Sequence, residues 1–185
     1  MRWDGLFEDL QSQWIALHER ARESEIAERT RMDQGSVTLM GRLRASAGEP
    51  IRVLQADGET VDGTVGFTGA DWVCVRSGAL DVVVVAAWCR SWEGLHRAAA
   101  PTPTSVGDRL SLASALRGLS RDRAVVTMAL AMAQGATSVR GRIERVGRDF
   151  VDLTPVHPGE VRPERVGSPT TVPMGGCLRI SSLAR

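Results

Sequence analysis

Lysine, asparagine and tyrosine are missing from this 185-residue chain, and aromatic residues make up only 4% of it. All 23 basic residues are Arg, the outcome expected of a GC-rich coding sequence, so Arg abundance alone does not argue for a nucleic-acid partner. Cysteine is scarce. Cys74, Cys89 and Cys177 are an odd number with no C-x-x-C pair, which argues against a disulfide framework or a cysteine-based zinc site and predicts buried, reduced thiols. The three histidines, His18, His96 and His157, share no metal-ligand spacing. The longest apolar run, Val82 to Trp88, is far too short to span a bilayer, and Met1-Arg2-Trp3-Asp4 does not open a secretory leader. A cytoplasmic protein is the expectation. No H-E-x-x-H, no G-x-S-x-G and no glycine loop followed by Lys occurs, so the sequence predicts no catalytic residues, no cofactor site and no metal site, and hence no enzyme.

What the chain does contain is a copy of itself. Residues 61–75, VDGTVGFTGADWVCV, return without a gap as residues 139–153, VRGRIERVGRDFVDL, at a constant offset of 78. Gly63/Gly141, Gly69/Gly147 and Asp71/Asp149 are kept, and the apolar positions trade among Val, Ile, Leu, Trp and Phe. This is the pattern of two copies of one small β unit. At 43% hydrophobic and 24% charged residues the composition is that of a soluble globular chain, and two modules this small are each marginal alone, so they are expected to pack together or to oligomerise. The net charge of +1 hides a polarity: residues 1–100 are net −4 and residues 101–185 net +5. Such an asymmetry steers an anionic partner to the second copy or holds modules together.

Residues 3–33 read as an amphipathic helix with its apolar stripe at Trp3, Phe7, Leu10, Trp14, Leu17 and Ala21, fading beyond that into a charged, solvated stretch. That stripe is the candidate surface for a protein partner, either another copy or another protein, or for docking on the chain's own β modules. Gln34-Gly35-Ser36 ends it, and Ser36 is placed to cap a short helix bearing Leu39 and Leu43, echoed before the second copy by Leu112 and Leu116. Strands are predicted at 51–56, 59–67, 71–76 and 80–88, then at 124–132, 137–146, 149–154, 171–174 and 177–181, with turn signals at Asp57-Gly58 and Ser77-Gly78. Residues 98–107 form a small, Pro-punctuated linker, and 155–169 form a Pro-rich loop with no counterpart of that length in the first copy. The domains are therefore 1–35 (helix), 36–97 (first module), 98–107 (linker) and 108–185 (second module).

The residues Ile51-Arg52-Val53, Asp57-Gly58, Val61-x-Gly63-x-Val65 and Gly69-x-Asp71-Trp72-Val73-x-Val75, with a following strand entry at Val172-Pro173 in the second copy, resemble the small SH3-like barrel of Sm and LSm proteins. The resemblance covers about 36–95 and again 108–183, and the paired arrangement is similar to two-barrel proteins of high-GC Gram-positive bacteria. It implies a mainly β chain: an N-terminal α-helix and two tandem five-stranded barrels, each preceded by a short helix. Family members that bind RNA do so in rings, through an Asn in one motif and an Arg-Gly in a second. This chain has no Asn, and Cys89-Arg90-Ser91-Trp92 and Cys177-Leu178-Arg179-Ile180 supply no Arg-Gly. If nucleic acid is bound, the contacts expected are Arg140, Arg142, Arg145, Arg148, Arg162 and Arg165, where Arg140 and Arg142 replace Asp62 and Thr64 of the first copy. Trp72 and Phe150 are candidate base-stacking rings that fit core packing better, and Trp88 and Trp92 are candidates for a contact between modules. The first expectation for function is an oligomerising or partner-docking scaffold; the alternative is an RNA- or DNA-binding regulator.

Overall fold

A computed structural model describes residues 14, 17–20, 22–26, 28–29, 31–32, 34–100, 106–156 and 169–184. The chain divides between Thr38 and Leu39. Before that point the described residues from 14 to 36 have helical backbone, and Val37 and Thr38 break it. Helical backbone includes Gln34-Gly35-Ser36 and ends there, as expected, one glycine being tolerated in a last turn. Trp3, Phe7 and Leu10 lie outside the described residues.

From Leu39 on, the protein is mainly β. A short helix α1 (Leu39–Ala45) leads into β1 (Pro50–Gln55), β2 (Thr60–Thr68), β3 (Trp72–Ser77), β4 (Leu80–Val85) and β5 (Cys89–Glu93). A second helix α2 (Leu112–Arg121) leads into β6 (Val125–Ala131), β7 (Ala136–Val146), β8 (Phe150–Pro155), β9 (Thr170–Pro173) and β10 (Cys177–Leu183). The ten strands of the described residues belong to one antiparallel sheet in the order β5-β1-β2-β3-β4-β10-β6-β7-β8-β9. The second five repeat the order of the first five, and the halves meet where β4 pairs with β10.

Local chemistry explains the elements. In β1 the exposed and buried positions alternate along PIRVLQ, the period-two signature of a strand with one wet face. The β1–β2 turn is made by Gly58 at φ +86° and by Asp57, whose carboxylate accepts from the Glu59 N–H at 3.1 Å. The conserved glycines mark close approaches: a Cβ on Gly63 would meet the Arg76 carbonyl, and one on Gly141 the Thr154 carbonyl. On Gly69 and Gly147 it would meet the rings of Trp72 and Phe150. Helix α2 starts at Ser111, whose hydroxyl accepts from the Ser114 N–H at 3.4 Å, and buries Leu112 and Leu116.

The run from Leu80 to Trp88, expected as one strand, is broken. After Val85 the chain makes one 3-10 turn, Ala86–Trp88, and resumes as β5 on the far side of β1. The Ala86 N–H donates to the Asp71 carbonyl at 3.0 Å, and the same corner recurs at Met174–Gly176, where the Met174 N–H donates to the Asp149 carbonyl at 2.8 Å. A strand lying beside β3 cannot also reach β1 without such a corner.

Two cores result. Ile51, Val53, Val61, Val65, Val73, Val75, Val82 and Val84 fill the first half. The other core joins Leu112, Leu116, Val126, Met128, Ile143, Val151, Leu153, Val172, Cys177 and Ile180 to Trp72 and Val85 of the first half. Strands β3 and β4 are thus buried on both faces, as their apolar runs predict: Val73, Val75, Val82 and Val84 point one way, and Trp72 and Val85 the other, with Cys74 and Val83 packed beside them.

Candidate functional site

The densest polar chemistry among the described residues lies at the seam between the halves. There β10 runs against β4 in the register Arg179↔Val84, Ile180↔Val83, Ser181↔Val82, Ser182↔Asp81 and Leu183↔Leu80. From β10 the Arg179 guanidinium reaches back to the β1–β2 turn, donating to Asp57 Oδ2 at 2.6 Å and to Gln55 Oε1 at 2.8 Å. Gln55 in turn donates from Nε2 to the Leu178 carbonyl at 3.1 Å. The Asp57 side chain is only 2% exposed and Gln55 only 1%, so these groups are satisfied in a dry place. The Trp88 indole donates to the Gly175 carbonyl at 3.1 Å, which makes Trp88 a contact between halves as expected. Trp92 instead packs, half-buried, against the core of the first half.

A second tie runs from the β2–β3 turn to the start of α2. The Ala70 N–H and the Trp72 indole both donate to the Leu110 carbonyl at 2.9 Å, and Asp71 Oδ1 accepts from the Leu112 N–H at 3.2 Å. Asp71 therefore fixes the helix of the next module, a role that the turn reading of this residue does not contain. Trp72 is a core residue, 5% exposed, with its ring 5.7 Å from that of Phe67. The two rings, with Cys74, Asp81, Val83, Ala115, Gly118, Leu119 and Ile180 among the lining, border a groove of about 320 Å³.

The arginines do not gather into one patch. Arg140 is exposed and Arg142 half-buried, side by side on β7 opposite Thr127 and Val125. Buried Arg142 Nε has no hydrogen-bond partner. Arg145 is shifted by a bulge after Ile143, lies 3.4 Å from Asp152 Oδ2, and covers the Phe150 ring at 5.1 Å. Phe150 is thus occupied by a protein cation. Arg148 is exposed in the following turn, and Arg162 and Arg165 lie outside the described residues, as do 157–168 of the Pro-rich loop and 101–105 of the linker.

Of the docking stripe, Trp14 and Leu17 are described, and they are 65% and 62% exposed. The Trp14 ring lies 4.4 Å from that of His18. Burial pushes the Cys74 thiol up to about 11, helped by the Asp81 carboxylate, and pushes Cys89 and Cys177 up to about 12. Cys177 is buried and Cys74 and Cys89 are half-buried. Among the described residues no group of three or more His, Cys, Asp or Glu side chains is placed to hold a metal ion, and no helix is long and apolar enough to cross a membrane. No protein-family model matches the chain, and no curated protein matches it.

The Arg179–Asp57–Gln55 network has no counterpart in the sequence reading. Its partners stand 122 and 124 positions apart, and each alone reads as an ordinary turn or strand residue. The strand β5 is also absent from that reading, because Cys89-Arg90-Ser91-Trp92-Glu93 has little of the alternation that marks a half-buried strand.

Proposed function

We propose that this chain is a non-enzymatic scaffold or adaptor, made of two paired Sm-like, SH3-like barrels, which docks a protein partner, self or other, through its amphipathic N-terminal segment. The observation that carries the reading is the exposure of Trp14 and Leu17, 65% and 62%. Large apolar side chains at a spacing of three on helical backbone are the form taken by an anchor for a groove or a second helix. The repeated five-strand order supports the paired-barrel part of the proposal, together with one apolar cluster in the first half and a second that joins the other five strands to Trp72 and Val85. The kept residues of the repeat serve folding: Gly63, Gly141, Gly69, Gly147 and Asp71 are accounted for by packing and hydrogen bonds.

Light scattering on the full chain and on the Trp14→Glu, Leu17→Glu double variant tests this. A native mass of two or more chains that drops to one in the variant supports self-association. A native mass of one chain removes it, and the reading then stands only if a protein that co-purifies with the native chain is lost from the variant.

A second reading, a regulator that binds RNA or DNA, is favoured by one observation, the unpartnered Nε of Arg142 beside exposed Arg140. Two phosphate contacts there would make log Kd change with log salt at a slope of about 2. Binding unchanged by Arg140→Glu with Arg142→Glu would sink it.

A further inference from the structure

The seam inside the molecule shows what one half demands of the next, and the outer end of the second half can be compared with it position by position. The repeat places Phe150, Asp152 and Arg145 where the first half has Trp72, Cys74 and Phe67. Strand pairing extends the equivalence: Cys74 faces Val83 as Asp152 faces Thr171, and Trp72 faces Val85 as Phe150 faces Pro173. In the first half these side chains make an apolar surface against the second half: Trp72 is buried in the shared core, Cys74 and Val83 pack beside it, and Phe67, 49% exposed, borders with them the groove whose far side is Ile180 and α2.

In the second half the same surface is polar and bonded to itself. Thr171 Oγ1 donates to Asp152 Oδ1 at 2.7 Å, and Asp152 Oδ2 pairs with Arg145 at 3.4 Å. The other ties of the seam are missing too. The position of Trp88 is taken by Gly176, because the 3-10 corners Ala86–Trp88 and Met174–Gly176 are equivalent. Since Cys89 then matches Cys177, the position of Arg179 is taken in β5 by Ser91, too short to reach a neighbouring turn. Strand β4 has six residues and β9 has four, ending at Pro173.

We propose that the Arg145–Asp152–Thr171 cluster terminates the module series, so that the β9 edge does not accept the β5 edge of a second copy although β4 accepts β10. An incoming α1 would bring Leu39, 40% exposed, to the Phe150 position as Leu112 shares the core with Trp72, and would have to strip water from the bonded Asp152 carboxylate and displace Arg145 from the Phe150 ring. The cluster keeps the sheet at ten strands and protects an edge that would otherwise template further pairing. This inference does not depend on the scaffold reading, because assembly through the N-terminal segment uses neither edge.

The register of the seam supplies the test. Ser181↔Val82 maps onto Glu93 of one copy facing Thr170 of another, so Glu93→Cys with Thr170→Cys places two thiols directly across that junction. Within one chain they sit on the two outermost strands of the ten. In the otherwise native protein under mild oxidation we expect little disulfide-linked ladder, at least tenfold less than in a background carrying Arg145→Phe, Asp152→Val and Thr171→Val. Adding Leu39→Glu to that apolar background should abolish the ladder; its persistence would mean non-specific aggregation and would overturn the proposal. Efficient cross-linking in the native background overturns it outright, even if the apolar variant fails to fold. Failure of a folded apolar variant to cross-link also overturns it.

Discussion

Each of the three thiols is held in its neutral form by burial, and this has a consequence in pH. In the unfolded chain they ionise near 9, whereas in the fold Cys74 does so at about 11 and Cys89 and Cys177 at about 12. Below pH 9 both states keep the proton and the thiols do not alter stability. From pH 9 to about 12 the unfolded state releases protons that the folded state retains, so stability falls as pH rises through that window. Urea midpoints at pH 8 and pH 10.5 should show the decline, and a thiol reagent at pH 8 should find no fast-reacting cysteine until urea is added. One fast stoichiometric thiol at pH 8 would contradict the burial. Unpaired cysteines were legible from their odd number and spacing, but the burial expected of all three is complete only at Cys177, Cys74 and Cys89 being half-buried. The pairing of Asp57 with Arg179 was not legible, since nothing near Asp57 signals a cation 122 residues away.

Among elements, the informative contrast is between two turns that the sequence writes alike. Gly69-Ala70-Asp71-Trp72 and Gly147-Arg148-Asp149-Phe150 both fold an aromatic ring back over a glycine. Among the described residues only the first holds a helix N-terminus, Asp71 accepting from the Leu112 N–H at 3.2 Å, whereas the second meets the same helix through Arg117, which donates to the Gly147 carbonyl at 3.2 Å. Removing such a capping acceptor costs about 0.5–2 kcal/mol. Asp71→Ala should therefore lower stability by roughly 1 kcal/mol, while Asp149→Ala should change it by less than about 0.5 kcal/mol, both read from chemical unfolding. Equal losses at the two sites would mean that Asp71 acts through its own turn and not through the helix. The strands themselves were legible wherever apolar residues alternate or run on, as in β1 and β4. Strand β5 was hidden because its pairing with β1 is set by the corner at Ala86–Trp88, a long-range demand that leaves no period in five residues.

For the whole molecule from Leu39 on, the shared sheet and the core that joins Trp72 and Val85 to the second half couple the two modules. Unfolding should accordingly follow one cooperative transition by fluorescence and circular dichroism together. Truncating Arg179 leaves the 2%-exposed Asp57 carboxylate without its cation, a class of change that costs about 3–5 kcal/mol, so Arg179→Ala should shift that transition strongly or split it in two. Two separate transitions in the native chain would refute the coupling. By itself the sequence determined the duplication, the strand-forming runs and the glycines at close approaches, because these follow from local sterics and from side-chain periods of two residues. Only the tertiary structure decided how the copies join, since edge pairing, the Asp57–Arg179 contact and the covering of Trp72 depend on residues far apart in the chain. It also decided that two equivalent faces have different fates: Cys74 and Val83 pack beside the shared core, whereas Asp152 and Thr171 satisfy each other, and a hydrogen-bonded carboxylate keeps its water where an apolar pair gives it up.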